Sequence, residues 1–442
     1  MFPITEERLD AILAEQGIDD IAKATIRQIC SVSDALAAEA GEEFVHLEIG
    51  NPGLEASQTG VDAECEALRR GVANKYPNIA GIPELKANAS RFAKAFLGID
   101  VPGESFIPTV GSMQGTFSVM SLLQRAMPGR DTILFINPGF PAQRSQAHLL
   151  GLRQDSFDIY EYRGERLRGI LDEKLSSGRV CAVIYCSPNN PAWINLTEEE
   201  LRILGEAADR YDTVIMEDLA YMGMDFRTDT GRPFEPPYVP TVARYTDRFI
   251  LFLSGSKIFS YAGQRIATVC ISPALFNRRY DGLKEFFGIP TLGKAYIFGV
   301  LYAMSSGTSH SAQCALATMM GAAADGKLDF VKVSREYGRR AAIVKRILDE
   351  NGFHIVYDRD ADGRRIADGF FFTAGYGDMG SSELQKELMR YGISAISLPS
   401  TGSLQSGLRV CVSMISDDET FARFADRLRL FHRDHPLAGA KA

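Results

Sequence analysis

The stretch RFILFLSGSKIFSYAGQR (residues 248–265) joins an apolar run to a lysine that is surrounded by small hydroxyl residues. The first six residues are typical of a buried strand. Lys257 follows this run by four residues, and Arg265 comes eight residues later. An ammonium group is costly to bury unless it is paired or has a chemical use. The stretch therefore predicts a strand of a covered sheet, with a reactive lysine just past its carboxyl end.

Five other apolar runs have the same character, and helical segments separate them. They are residues 106–110, 132–137, 180–186, 213–217 and 265–271. Because these runs are apolar throughout instead of alternating, they predict strands covered on both faces, in a mostly parallel α/β sheet flanked by helices. Residues 5–45 and 275–350 are predicted to be helical. The last ~90 residues mix short strands with a helix, which is typical of a smaller α+β domain.

Length and composition limit the possible functions. A chain of 442 residues predicts two domains. We place a large domain at residues 50–300 and a small one at residues 1–49 and 301–442, so that both termini contribute to it. The net charge of −8 argues against nucleic acid or a membrane surface as a partner. Seven scattered cysteines and the absence of an apolar leader indicate a cytoplasmic protein with reduced thiols and no metal site.

Unusual residues follow five of the predicted strands. The segments are GSMQGTF (111–117), PGFPAQ (138–143), SPNNPAW (187–193), EDLAY (217–221) and SGSK (254–257). Because ligands bind at the carboxyl ends of parallel strands, we expect these segments to lie together at one edge. Ser112, Met113 and Gln114 begin a predicted helix, whose free N–H groups favour an anion such as phosphate.

Each of these segments also has a simpler interpretation. Ser112 is compatible with an ordinary helix cap, and Phe140 with a core residue. Asn190 with its following proline is compatible with a turn, Asp218 with a helix cap and Arg265 with a surface charge. Taken together, however, a lysine, an acid and a phosphate cradle fit pyridoxal phosphate, which forms a Schiff base with lysine and needs an aspartate at its ring nitrogen.

From residue 47 to residue 413 the sequence resembles the fold-type I, class I/II aminotransferases, the family of aspartate aminotransferase. Besides the segments above, the matching motifs are KYPNIAGIPEL (75–85) and LRVCVS (408–413). The resemblance implies the fold of that family and makes Lys257 the lysine of the internal aldimine. It also implies that Asp218 meets the pyridine nitrogen, that Tyr221 and Asn190 bind the phenolate oxygen and that Phe140 covers the ring.

The remaining site residues are also implied by the resemblance. The phosphate-binding group consists of Ser112, Met113, Gln114, Ser254, Ser256 and Arg265, with Tyr76 reaching across from the partner subunit of a homodimer. The substrate-binding group consists of Arg409, which takes the α-carboxylate, with Asn190, Gly50 and Trp193.

Three departures from the family pattern bear on specificity. Trp193 stands where the family has a glycine, and Gln143 stands where aspartate aminotransferases have a histidine behind the aspartate. Residues 300–312 contain no arginine for a distal carboxylate. We therefore expect an apolar or aromatic amino donor, with Trp193 and Phe259 near its side chain.

The sequence predicts an aminotransferase that moves an amino group from an α-amino acid to a 2-oxo acid. A lyase or decarboxylase that uses the same cofactor would have the same lysine, aspartate and arginine. A non-catalytic sensor is the third reading, but the ~45 residues before the core are too few for a DNA-binding module.

Overall fold

The computed structural model describes residues 2–437, so Met1 and residues 438–442 of the predicted small domain lie outside the described part of the chain. Its strands are β1 (Val45–His46), β2 (Phe106–Val110), β3 (Thr132–Asn137), β4 (Arg153–Asp158), β5 (Val180–Cys186), β6 (Val214–Asp218), β7 (Phe249–Ser254), β8 (Ile266–Ile271), β9 (Phe353–Ile355), β10 (Phe371–Tyr376), β11 (Ile393–Ser394), β12 (Ile396–Ser397) and β13 (Leu408–Cys411).

Helices cover the sheet and fill the terminal regions. They are α1 (Glu6–Glu15), α2 (Ile26–Ala40), α3 (Gln58–Arg69), α4 (Pro83–Leu97), α5 (Gly111–Ala126), α6 (Pro141–Leu149), α7 (Arg166–Leu175), α8 (Glu198–Tyr211), α9 (Gly255–Ile258), α10 (Pro273–Asn277), α11 (Asp281–Phe287), α12 (Leu292–Ala295), α13 (Tyr302–Ser305), α14 (His310–Ala324), α15 (Phe330–Glu350), α16 (Ser381–Arg390) and α17 (Asp418–Asp434).

The large sheet has seven strands in the order β2-β8-β7-β6-β5-β3-β4. All are parallel to one another except β8, which pairs antiparallel with both β2 and β7. Every residue of β3, β5, β6, β7 and β8 is buried, as the apolar runs predicted. The prediction of a mostly parallel α/β fold is therefore confirmed.

Two parts of the chain differ from the predictions. The edge strand β4 was not predicted, because its sequence RQDSFD is polar and its first residues are exposed. The long helices expected from residue 275 begin only with α14. Before it the chain forms short helices and one π-helical segment, Tyr296–Leu301. Gly288 ends α11 in the left-handed conformation (φ +71°), and Pro290 follows, so a continuous helix is interrupted there.

The N- and C-terminal regions pack together. A four-stranded antiparallel sheet has the order β12-β13-β10-β9, and the short strand β1 pairs with β11. Apolar residues of α1 and α2 form one cluster with Met389 and Ile396. Helix α14, in contrast, packs against α3 and α4 beside the large sheet. No helix within residues 2–437 is both long and apolar enough to span a membrane.

Candidate active site

The carboxyl ends of β2, β3, β5, β6 and β7 lie at one edge of the large sheet, because these strands are parallel. The register pairs Asp218 with Cys186 on one side and with Phe252 on the other. Ser254 ends β7 and caps the short helix α9, in which Lys257 lies. The strand order therefore puts the segments with Ser112, Phe140, Asn190, Asp218 and Lys257 along the same edge.

Lys257 is half-buried and has no carboxylate partner among the described residues. Its Nζ donates a hydrogen bond to the carbonyl oxygen of Gly50 and lies 5.2 Å from the centre of the Phe370 ring. Desolvation, with smaller contributions from the nearby cations Arg409 and Arg265, lowers the pKa of this ammonium to about 8. A lysine with such a pKa can serve as a nucleophile and as a base near neutral pH.

Asp218 is a buried carboxylate without a cationic partner in residues 2–437. Its Oδ2 accepts a hydrogen bond from Nε2 of Gln143 (3.0 Å), and its Oδ1 accepts one from the backbone N–H of Ala220 (3.1 Å). Burial raises the pKa of the carboxyl group to about 6. Since Gln143 supplies no charge, Asp218 can still pair with a protonated ring nitrogen.

The start of α5 supplies the features expected of a phosphate site. The hydroxyl of Ser112 is buried and has no hydrogen-bond partner. Gly111 has φ +66°, and the Arg265 guanidinium lies so close to it that a Cβ there would be 2.5 Å from its Nη2. Glycine therefore lets an arginine approach the free N–H groups of the helix.

Three residues of the predicted phosphate group have other hydrogen bonds. The Gln114 side chain accepts from the N–H of Val110 (2.8 Å), and the Met113 carbonyl accepts from Gln146 (2.8 Å). The Ser254 hydroxyl accepts from the N–H of Ser256 (3.1 Å). The Ser254 side chain therefore caps α9, and the Gln114 side chain binds the N–H of the residue before α5.

Arg409 is only 2% exposed, yet it has no acid partner among the described residues. Its Nη2 donates to the backbone carbonyl of Glu48, while its Nε is buried without a partner. Desolvation lowers the pKa of the guanidinium. A buried arginine with donors to spare suits a carboxylate ligand, which binds it with two parallel hydrogen bonds.

Phe370 and Phe371 were not predicted, although they connect the other site residues. Tyr221 lies 5.5 Å from Phe370 and 5.4 Å from Phe371 between ring centres. The guanidinium of Arg409 lies over the Phe371 ring at 4.9 Å. The contact with Arg409 depends on the pairing of β10 with β13, and the contacts with Tyr221 join segments about 150 residues apart, so no local pattern in the sequence points to them.

Four other predicted residues differ in their burial and in their contacts. Asn190 is buried, and within residues 2–437 its side-chain amide makes no hydrogen bond, so it is free for a ligand. Phe140 is half-buried just before α6. Tyr76 is 94% exposed. Phe259 packs against Phe92 and Phe330 in the core, so the expectation that it lies near a substrate side chain is not met.

The side chains present fit pyridoxal phosphate at each of its reactive groups. Lys257 can meet the aldehyde, and the unpaired Asp218 can meet the ring nitrogen. The orphaned hydroxyl of Ser112 and the guanidinium of Arg265 can hold the phosphate. No group of three or more metal-ligating side chains occurs in the described residues.

Comparisons with known proteins identify the family of the chain. A family model described as aminotransferase class I and II matches residues 42–428. A probable aspartate aminotransferase of Methanocaldococcus jannaschii is 26% identical over 57% of this chain and 62% of its own length. The glutamate-pyruvate aminotransferase AlaC of Escherichia coli is 26% identical over 52% of this chain and 54% of its own. The chain thus spans only part of the length of these curated relatives.

A solved structure extends the likeness to nearly the whole fold. A double mutant of Thermus thermophilus aspartate aminotransferase superposes with a TM-score of 0.73, covering 92% of this chain and 96% of its own, at 19% identity. At this identity the likeness concerns the fold, whereas the family match rests on the sequence. The chain belongs to the class I and II aminotransferases, whose cofactor is pyridoxal 5′-phosphate.

Proposed function

We propose that this protein is an aminotransferase that moves an amino group from an α-amino acid to a 2-oxo acid. The observation that carries the proposal is the pair of cations Lys257 and Arg409, whose hydrogen bonds within residues 2–437 go only to the carbonyls of Gly50 and Glu48. A substrate with an amine next to a carboxylate needs both an exchangeable lysine and a carboxylate-binding arginine. The unpaired acid Asp218 adds the partner for a pyridinium.

We assign the cofactor-holding roles as follows. Asp218 binds the ring nitrogen, Tyr221 and Asn190 bind the phenolate oxygen, and Phe140 covers the ring. The phosphate group is held by Ser112, Met113, Gln114, Ser254, Ser256 and Arg265. When bound, pyridoxal phosphate supplies an aldehyde that condenses with amines and a ring that accepts the electrons released at the substrate Cα.

The side chains of the protein then account for binding and proton movement. Arg409 binds the α-carboxylate through two parallel hydrogen bonds and so fixes the direction of the Cα–H bond. Nζ of Lys257 accepts the proton from the substrate Cα and would deliver it to the carbon that carries the aldehyde of the bound cofactor, since an amine with a pKa of about 8 is suited to both steps near neutral pH. Phe370 and Phe371 exclude water from the space between these two groups.

We further propose a homodimer in the cytoplasm, in which Tyr76 of each subunit completes the phosphate site of the other. Its 94% exposure supports this, since an aromatic side chain so exposed on a monomer is free for a partner. We keep the division into a large domain and a small domain built from both termini. The packing of α14 against α3 and α4 supports a boundary after residue 324 instead of 300.

The amino donor is proposed to have an apolar or aromatic side chain, because residues 300–312 provide no arginine for a second carboxylate. The names of two relatives include other substrates. The protein of Methanocaldococcus jannaschii is named for aspartate, and that of Escherichia coli is named for glutamate and pyruvate. A panel of donors that includes all of these side-chain types therefore decides the substrate class.

The test is to incubate the holoenzyme with each donor and with 2-oxoglutarate or pyruvate, and to identify the products by mass. We expect the donor's 2-oxo acid and the aminated acceptor in equal amounts. Lys257→Ala should abolish both products, whereas Lys284→Ala, at an exposed helix position, should not. Release of ammonia without an acceptor would favour the lyase, and full activity of Lys257→Ala would contradict the proposal.

A further inference from the structure

Trp193 is the single tryptophan of the chain, and it is completely buried beside the site. It follows Asn190 in the loop after β5. The backbone N–H of Trp193 donates to the carbonyl of Asn189 (2.9 Å), and its φ of +60° is in the left-handed region. A large side chain is rare in this conformation, and glycine would adopt it without strain. The position therefore keeps a tryptophan despite a backbone that favours glycine.

The indole ring contacts two of the aromatic residues of the site. Its centre lies 5.5 Å from the Tyr221 ring and 6.1 Å from the Phe371 ring, and both contacts are edge-to-face. Tyr221 and Phe371 are themselves 5.4 Å apart. Trp193, Tyr221 and Phe371 thus form a closed triangle, which we call the aromatic triangle. Such edge-to-face contacts restrict the orientation of each ring.

The aromatic triangle joins the two ends of the proposed site. Tyr221 belongs to the end that binds the phenolate oxygen. Phe371 lies under the guanidinium of Arg409, at 4.9 Å, and so belongs to the carboxylate end. Because Trp193 has no exposed surface, it cannot itself form the wall that a substrate touches. Its effect on the reaction must pass through the other two rings.

Space for the indole depends on Gly369. A Cβ at residue 369 would lie 2.2 Å from the nearest indole atoms, so no other residue type fits there without displacing the ring. Gly369 directly precedes Phe370 and Phe371. The loop after β5 therefore packs against the segment before β10 because the large side chain of Trp193 lies against Gly369.

We propose that Trp193 is a positioning residue that holds Tyr221 and Phe371, and through Phe371 the guanidinium of Arg409, in the geometry that binds the amino acid. This inference rests on the proposed function. Removal of the indole should loosen both rings at once. The carboxylate affinity and the electronic state of the bound cofactor should therefore change together, although Trp193 touches neither ligand.

The test compares holoenzyme variants Trp193→Leu and Trp193→Phe with the control Phe424→Leu, which removes a fully buried ring from α17. We measure the affinity for a 2-oxo acid and the pH midpoint of the visible absorbance of the bound cofactor. For Trp193→Leu we expect a roughly ten-fold or greater loss of affinity and a displaced midpoint, since small misplacements of binding groups have large effects. Trp193→Phe should recover most of both, and Phe424→Leu should change neither.

A Trp193→Leu protein with wild-type affinity and midpoint would overturn the proposal, and so would an equal effect of Phe424→Leu. If the wild-type protein binds the 2-oxo acid but does not transaminate, the proposed function is contradicted. The affinities of the variants for the 2-oxo acid then still decide the role of Trp193.

Changing the sizes of residues 369 and 193, singly and together, gives a second readout that does not depend on activity. Gly369→Ala should lower the thermal unfolding temperature of the wild type strongly, and it should have a much smaller effect in the Trp193→Leu background. Additive effects of the two substitutions would contradict the fit between the two residues. In each Gly369 variant that retains Trp193, the cofactor is added and the fluorescence of this tryptophan is measured. Quenching of the fluorescence confirms that the site is filled.

Discussion

Glu217 lies next to the site, and replacing it with glutamine should remove a pH-dependent loss of folding stability. Glu217 precedes Asp218 in β6 and is completely buried. Its Oε2 accepts from the Thr241 hydroxyl (2.5 Å) and from the N–H of Val242 (3.2 Å), while its Oε1 makes no hydrogen bond within residues 2–437. Burial raises the pKa of this carboxyl group from 4.5 to about 7. Glutamine keeps the accepting oxygen but has no proton to lose.

The direction of this pH dependence follows from the number of protons that the folded and the unfolded chain bind. Below pH 4.5 both the folded and the unfolded chain hold the proton. Between pH 4.5 and about 7 the unfolded chain releases it while the folded chain keeps it, so the free energy of unfolding falls as the pH rises. Since one pH unit corresponds to about 1.4 kcal/mol, the wild type loses about 3 kcal/mol over this interval. Above pH 7 the loss stays constant.

The assay is guanidinium unfolding of wild type and Glu217→Gln at several pH values from 5 to 8. The variant should gain stability relative to the wild type as the pH rises. Glu336→Gln is a control whose stability difference from the wild type should stay nearly constant from pH 5 to 8, because Arg339 and Arg340 lower the pKa of Glu336 to about 2 and the group is ionised in both the folded and the unfolded chain over this range. A stability difference between wild type and Glu217→Gln that does not change with pH would refute the reasoning.

Three further predictions concern the site itself. Arg409→Lys should raise the KM for the amino donor roughly a hundred-fold while cofactor absorbance is retained, since lysine cannot make the paired hydrogen bonds. Asp218→Asn should lower kcat roughly a hundred-fold or more and alter the absorbance, because the ring nitrogen loses its counter-charge. Tyr76→Ala and Lys257→Ala subunits, each inactive alone, should regain about a quarter of the wild-type activity when mixed, because a hybrid dimer has one intact site. Steady-state kinetics checks each prediction, and no recovery on mixing would contradict the sharing of sites.

The apolar strands of the large sheet were predictable because burial on both faces leaves a continuous apolar run. β4 was not predictable in this way, since one edge of the sheet tolerates the polar residues of RQDSFD. Lys257, Asp218 and Asn190 could be singled out in the sequence because each lies at the end of a predicted strand or within four residues of it. Gly369, Phe370 and Phe371 were not predicted because their contacts with the site arise from the fold of distant segments, about 40 to 180 residues away in the chain.

Lys257 and Arg409 donate hydrogen bonds to the carbonyls of Gly50 and Glu48, which lie only two residues apart, so one short backbone segment orients both of the cations proposed to bind the amino acid. An insertion or deletion in this short segment would disturb both ends of a bound amino acid together. Engineering that aims to alter one end alone should therefore leave residues 48–50 unchanged and vary the side chains around them.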